Sequence, residues 1–412
     1  MSEQNPPSSG ATKPKILVFL GCYLPGFNSG GPVRTLSCMV EALAPYFDFR
    51  LVTLNHDSGS KDIYTSVRTG DWNPIGSGQV YYIATWSPSV IERMVREERP
   101  DALYLNGFFS TSSVYALVAR RARKLPPVAV VLATRGDLAA GALGMKSLKK
   151  RAYMKTAQVA GIYSGLLWHA SSEREKTEML RALETFGVSA EMIHVAPDLG
   201  FGYDVQEIQK PEKSAGTARF VTLSRIVRMK NPLFTLDQLA ALRGEVCLDI
   251  FGPLEDRELW KECEQKIAAL PPNLNVRFAG PLEPGRVLGE LSQRHFFILP
   301  TLGENYGHAI IEGAAAGCPV VISDRTQWLG LEEQGVGWDI SLDDGPRWQK
   351  VLQACVDMPQ QEYMAISRKA GEFGRSVMNS KSNLEANVEL FRRALGSAGV
   401  APRETMPAGV SQ

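Results

Sequence analysis

Apolar residues along this chain gather into short unbroken runs, and between the runs they recur with helical spacing. The runs are KILVFL (15–20), FRLVTL (49–54), ALYLNG (102–107), VAVVLAT (128–134), GLLWHAS (165–171) and MIHVAP (192–197). A second set follows: RFVTLS (219–224), VCLDIFG (246–252), NVRFAG (275–280), HFFILP (295–300) and CPVVIS (318–323). Unbroken runs of this length predict strands buried on both faces. Helical spacing predicts helices over 32–44, 89–98, 112–124, 172–186 and 284–293. Strands alternating with helices predict parallel sheets covered on both sides, hence an α/β protein.

One stretch interrupts the alternation. DLGFGYDVQEIQKPEKSAGT (198–217) is polar and rich in Gly, Pro and Lys, and it reads as an interdomain linker. The expected organisation is a disordered tail over 1–13, a Rossmann-like domain over 14–200, a linker over 201–217 and a second Rossmann-like domain over 218–378. A C-terminal helix over 379–396 and a disordered tail over 397–412 complete it. No sequence repeat relates the two halves. Ligands on such sheets bind beyond the carboxyl ends of the strands. Two such domains facing across a cleft would place the site in that cleft.

Composition narrows the classes. The 412 residues are 44% hydrophobic and 22% charged, with a formal net charge of +1. That is an ordinary globular balance, and no overall charge points to nucleic acid. Residues 1–200 hold 22 Lys/Arg against 17 Asp/Glu, and residues 201–412 hold 23 against 27. The mildly basic first half suits either an anionic partner or plain surface variation. Six scattered cysteines form no CxxC pair and no Cys/His cluster, which argues against structural zinc and for a reducing compartment. The polar N-terminus lacks the apolar segment of a signal peptide. No run of about 18 apolar residues predicts a membrane span. A cytoplasmic location is expected.

Four loops at predicted strand ends carry special residues. GCYLPGFNSGGPVRT (21–35) places Gly30 and Gly31 before a helix. This is either an anion-binding helix start or a glycine turn. Neither GxGxxG nor a Walker loop is present. LSRIVRMKNP (223–232) places Arg225 and Lys230 where two cations would clamp a diphosphate, or where they are simply solvated. FGPLED (251–256), echoed at 278–284, puts Gly252 at a strand exit, with room for a flat base or merely a turn. In LGENYGHAIIEGAAAG (302–317), Glu304 leaves a loop and Gly307 opens a helix. His308 and Glu312 then share one helix face, and the backbone of 305–308 faces outward with the helix dipole behind it.

The order of these elements resembles the family 4 retaining glycosyltransferases of the GT-B fold: a GG loop, an Arg…Lys pair, then Glu-x7-Glu. The resemblance spans roughly residues 14–395. It implies that Arg225 and Lys230 hold the donor diphosphate and Glu304 meets hydroxyls of the donor sugar. Asn305, Tyr306, Gly307 and His308 support sugar and phosphates through main chain, and Glu312 takes the ribose hydroxyls. The Gly30–Gly31 loop would close over the diphosphate. The implied catalytic set is Glu304, Arg225 and Lys230. No metal and no cofactor are implied, because two side-chain cations meet the leaving phosphate. Attack from the face of departure requires no dedicated base.

On the acceptor side, Asn106 stands where many relatives carry a histidine. ATRGDLAAGALGMKSLKK (133–150) resembles an Arg-Gly loop of some bacterial polysaccharide-assembly members. Arg135 and Asp137 there either meet the acceptor or pair to fix the loop. Lys146, Lys149, Lys150, Arg151 and Lys155, with Leu148, Ala152 and Tyr153, form a basic helical patch. It suits either solvent or an anionic membrane beside a lipid-linked acceptor. The reading is a retaining, metal-independent transferase that moves a sugar from a nucleotide-diphosphate sugar to a glycan or lipid-linked acceptor. It would act in the cytoplasm or on the inner face of the membrane. The alternatives are a sugar-nucleotide epimerase or hydrolase on the same fold, or a non-catalytic nucleotide-sugar-binding subunit.

Overall fold

The computed structural model describes residues 12–26, 28–144, 147–200 and 209–397. The chain divides into two compact units. The first comprises residues up to Leu199 together with those from Lys381 onward, and the second runs from Gly200 to Ser380.

The first unit holds eight strands: β1 (Lys15–Phe19), β2 (Asp48–Leu54), β3 (Trp72–Ile75), β4 (Gly78–Ile83), β5 (Ala102–Asn106), β6 (Ala129–Ala133), β7 (Leu167–Ala170) and β8 (Ile193–Val195). They lie in the order β3-β4-β2-β1-β5-β6-β7-β8. Every pairing is parallel except the β3–β4 hairpin at one edge. The unbroken runs KILVF, ALYLN and AVVLA are buried almost throughout, as expected for strands covered on both faces. The hairpin is not signalled by such a run: WNPI contains Pro74, which a sheet tolerates only at an edge.

The helix Lys381–Ser397 packs on this first unit. Phe391 meets the rings of Phe47, Phe49 and Tyr104 at centroid distances of 5.3, 5.7 and 5.3 Å. Asn387 Nδ2 donates to the Pro197 carbonyl at 2.8 Å, and His194 Nε2 lies 2.9 Å from the Ala386 carbonyl.

The second unit holds β9 (Thr217–Leu223), β10 (Glu245–Phe251), β11 (Leu274–Gly280), β12 (Phe296–Leu299), β13 (Val320–Ser323) and β14 (Gly337–Ile340). Their order is β11-β10-β9-β12-β13-β14, and all pairings are parallel. β14 is too short and polar to register as an apolar run. Its first residue must be glycine, because a methyl at Gly337 would collide with the Val320 backbone. The winding reverses between β9 and β12. That reversal is where doubly wound sheets open a crevice at their carboxyl edge.

The stretch expected to link the domains is, from residue 209, part of the second unit. Lys210 Nζ donates to the carbonyls of Arg294 (2.6 Å) and Ala316 (3.1 Å). Lys213 Nζ donates to those of Val356 and Met358, both at 2.9 Å. Burial lowers the pKa of both ammonium groups. Two lysines that read as linker polarity instead satisfy carbonyls that would otherwise be orphaned. Residues 201–208, and residues 1–11 and 398–412 of the tails expected over 1–13 and 397–412, lie outside the described residues.

Candidate functional site

The loops after β9 and β12 flank the reversal in the second sheet. After Leu223 the chain runs beside the loop that follows β10: Ser224 N donates to the Phe251 carbonyl and Ile226 N to that of Pro253, both at 2.9 Å. A short 3-10 turn over Arg228–Lys230 ends at Asn231, whose φ is +54°. The helix Pro232–Ala240 follows. Arg225, Lys230, Thr222, Ser224, Thr235 and Ile250 help line a shallow hollow that opens to solvent.

The loop after β12 is stitched to this one. Leu302 N donates to the Met229 carbonyl at 2.8 Å. Thr301, fully buried, donates its hydroxyl to the same carbonyl at 3.0 Å. Ser323 Oγ in turn donates to the Thr301 carbonyl at 2.6 Å, and Glu304 N donates to Arg325 O at 3.1 Å. These bonds bring Lys230 and Glu304, 74 residues apart, into an ion pair. Their side chains are only 14% and 17% exposed. Arg225 pairs with Glu255 at 2.7 Å in a far more open setting, at 41% and 52% exposure.

Gly307 sits at φ +84° as the cap of the helix His308–Ala315. Ile310, Ile311, Ala314 and Ala315 bury the rear of this helix. Gly313 lets it approach Phe297 on β12, where a methyl would lie 2.8 Å from the ring. Glu312 is buried and His308 half-buried; neither glutamate of the Glu-x7-Glu element stands out in solvent. The His308 ring lies 4.8 Å from that of Tyr306. The Tyr306 carbonyl accepts from Trp328 Nε1 at 2.6 Å and Gln327 Nε2 at 3.2 Å, which fixes the 305–308 segment.

Two glycines read differently in three dimensions. Gly252 has φ +138°, and a methyl there would collide with the Ser224 carbonyl. What Gly252 makes room for is therefore the neighbouring loop, and the turn explains it without a flat base. Gly30, at φ +63°, caps the helix Gly31–Leu43. A methyl at Gly30 or Gly31 would meet nothing within 4 Å, so Gly30 is required by conformation alone and Gly31 by neither conformation nor space.

Of the three residues expected on the acceptor side, Asn106, Arg135 and Asp137, two come together. Arg135, itself at φ +54°, donates Nε to Asn106 Oδ1 (3.0 Å), Nη1 to Asp198 Oδ1 (3.0 Å) and Nη2 to the Tyr104 hydroxyl (2.8 Å). The Arg–Asp pair of this loop is thus Arg135–Asp198; Arg135 does not pair with Asp137. Asp198 also accepts from Thr35 Oγ1 at 2.7 Å. The Tyr104 hydroxyl, accepting from Arg135, donates to His169 Nδ1 at 2.7 Å. His169 Nε2–H therefore donates to the Ala196 carbonyl at 2.7 Å. Burial, with Arg135 nearby, pushes the imidazole pKa down to about 4 and keeps it neutral. Glu175 accepts from Thr134 Oγ1, Gly136 N and Ser171 Oγ, each at 2.8 Å. Asp137 stands apart from this net: it accepts from Phe109 N at 3.3 Å, and burial raises its pKa.

Sequence reasoning missed Thr301 and Met229, which join the two loops. A Thr directly after the strand-ending Pro300 is the one local hint. It also missed Tyr104, His169, Glu175 and Asp198. A histidine inside the apolar run LLWHA was the available signal, since a buried imidazole must find partners. Among the described residues, no three His, Cys, Asp or Glu side chains gather as metal ligands.

Residues 204–336 match the family profile described as glycosyl transferases group 1. The fold matches solved structures over nearly the full length of both chains. HepE of Anabaena in complex with UDP-glucose matches at TM-score 0.67 and 16% identity, over 92% of this chain and 99% of that one. The sucrose-phosphate synthase of Thermosynechococcus elongatus matches at 0.69 and 14%, over 93% and 100%. WaaG, a glycosyltransferase involved in lipopolysaccharide biosynthesis, matches at 0.62 and 13%, over 92% and 98%. No curated protein matches in sequence. At such identities the likeness defines the architecture: this is a GT-B fold built from two parallel-sheet domains.

Proposed function

We propose that the protein is a retaining, metal-independent glycosyltransferase of the family 4 type. It moves a sugar from a nucleoside-diphosphate sugar to a glycan or lipid-linked acceptor in cell-surface polysaccharide assembly. The observation that carries this reading is the pairing of Lys230 with Glu304 at the winding reversal, beside Arg225 and an open hollow.

The chemistry follows from charge. When the sugar–phosphate bond breaks, negative charge grows on the leaving diphosphate and positive charge on the sugar. Arg225 and Lys230 stabilise the former without a metal. Lys230 has three N–H donors, so it keeps Glu304 while meeting phosphate. Glu304, a pure acceptor, takes the hydroxyls of the donor sugar, and Glu312 takes those of the ribose. The fixed 305–308 backbone supports sugar and phosphates. Asp137 orients the acceptor hydroxyl, and Asn106 and Arg135 act by holding the loop that carries it. HepE, with its bound UDP-glucose, and WaaG, in lipopolysaccharide biosynthesis, support the donor class and the pathway. Among the described residues no helix is long and apolar enough to cross a membrane. The reading places the enzyme in the cytoplasm, peripherally on the inner face of the membrane.

The test is nucleotide release from a panel of nucleotide sugars, with and without glycan acceptors, and NMR assignment of the product anomer. Transfer with retained configuration, unchanged by chelator, is expected. A free-sugar epimer as sole product would assign an epimerase instead. No turnover with any donor would assign a binding subunit.

A further inference from the structure

On the loop after β9, three cations each face a carboxylate: Arg225 meets Glu255, Arg228 meets Glu262 and Lys230 meets Glu304. Arg225 and Lys230 line the hollow, whereas Arg228 pairs in the open with a residue of the helix Arg257–Ala268. Glu304 already has a role toward the donor sugar. Glu255 has none, yet the fold holds it beside Arg225. Ile226 N donates to the Pro253 carbonyl and Asp256 N to the Ile226 carbonyl, both at 2.9 Å. Ile226 and Leu254 thereby pair as a parallel bridge. Asp256 next caps the helix Arg257–Ala268 by accepting from Leu259 N at 2.9 Å. The residues on both sides of Glu255 are thus tied to the backbone one position from Arg225.

This placement opposes an anion on Arg225. A guanidinium offers two edges for a two-point grip, Nη1 with Nη2 and Nε with Nη2. Glu255 Oε2 accepts from Nη1 at 2.7 Å. A phosphate that takes the first edge has to displace this carboxylate, and one that takes the second sits beside a like charge. The cost falls most heavily on the product. A free nucleoside diphosphate carries one more negative charge than the same diphosphate esterified to sugar, and it has to leave in every cycle. We propose that Glu255 is a release residue: it competes with the diphosphate for Arg225, keeps the grip weak and retakes the guanidinium as the nucleotide departs. This rests on the proposed function for the identity of the anion; the competition itself rests on the pair.

The experiment is calorimetric titration of uridine, adenosine and guanosine diphosphates into the full chain, into Glu255→Gln and into Glu262→Gln. Arg225→Ala is titrated with and without Glu255→Gln. Glu255→Gln should bind the preferred diphosphate at least about twofold and up to about fivefold more tightly than the parent, the range of an exposed pair. The gain should shrink as salt rises, and stopped-flow displacement should show slower dissociation by the same factor. Glu262→Gln removes the same charge from an open pair nearby and should keep the parent affinity. In the Arg225→Ala background, Glu255→Gln should bring no gain. Parent-level or weaker binding by Glu255→Gln would overturn the proposal. An equal gain in Glu262→Gln, or an equal gain without Arg225, would overturn it too, because general repulsion would then explain the effect. No diphosphate binding by the parent would remove it together with the donor site. Parent-level affinity in Glu255→Gln alongside normal sugar transfer would remove this inference alone. Tighter binding by Glu255→Gln without turnover of any nucleotide sugar would leave it standing and remove the catalytic reading.

Discussion

The carboxyl ends of the two sheets both gather charge and use it in opposite ways. In the first unit, Arg135 and Asp198 form a pair that is 9% and 4% exposed, closed by Asn106, Tyr104 and Thr35. In the second, Arg225 pairs with Glu255 in the open, and Lys230 with Glu304 behind partial cover. Breaking a buried pair by removing one partner costs about 3–5 kcal/mol. An exposed pair contributes about 0–1 kcal/mol. The first arrangement is structural: its charges are committed to each other. In the second, the open Arg225–Glu255 pair is exchangeable, because an exposed carboxylate can be replaced on Arg225 at little cost. An arginine after a strand is therefore informative about ligands only once its partner is known.

The largest effect should come from the exchangeable side. Glu304→Ala should reduce transfer by at least about a hundredfold, the scale of losing one transition-state contact. Its circular dichroism should match the parent, with melting lowered only by the loss of the Lys230 pair. Activity at the parent level would remove Glu304 from the site.

Stability should separate the two pairs next. Asp198→Ala leaves the Arg135 guanidinium buried without its counter-charge and should destabilise the first unit by about 3–5 kcal/mol, measured by urea unfolding. Glu255→Ala should cost under about 1 kcal/mol in the same assay. Equal costs would erase the distinction drawn between the two sheet ends.

A smaller effect should follow from loosening the stitch between the loops of the second unit. Thr301→Val removes the hydroxyl that the Met229 carbonyl accepts beside Leu302 N and should lower kcat about tenfold, the upper scale of one lost buried hydrogen bond. Thr301→Ser should restore it. If both variants lose the same stability but Ser does not recover kcat, Thr301 is packing rather than positioning.

The pH axis should treat both units alike. His169 in the first and His295 in the second are each held neutral by burial, with pKa values near 4 against an ordinary 6.5. The unfolded chain therefore binds more protons between those values. Stability should be full above about pH 6.5 and should fall as pH drops toward about 4. The melting temperature should decline by on the order of 10 °C across that window. A flat profile would mean that neither imidazole is as shielded as its partners suggest.

Much of the architecture was legible because unbroken apolar runs such as KILVF and VVIS leave little choice but buried parallel strands. The elements that escaped were those whose place depends on neighbours. β3 and β4 form an edge hairpin around Pro74, and β14 opens on a glycine chosen by Val320 rather than by any local pattern. In the site, Arg225, Lys230 and Glu304 were legible as residue types at strand exits, and the structure joins Lys230 to Glu304. What sequence did not disclose was partnership. Closeness in the chain offers Asp137 as one partner for Arg135, whereas its counter-ion is Asp198, 63 residues on. Lys210 and Lys213 read as linker polarity because the carbonyls they satisfy lie more than 80 residues away in sequence.

The central claim is that Lys230 and Arg225 hold the diphosphate of a nucleotide sugar. Calorimetric titration of nucleoside diphosphates into the parent and into Lys230→Ala tests it most directly. At least one diphosphate should bind the parent and bind the variant about tenfold or more weakly, the loss expected for one charge-assisted contact. Parent-level affinity in the variant would contradict the account.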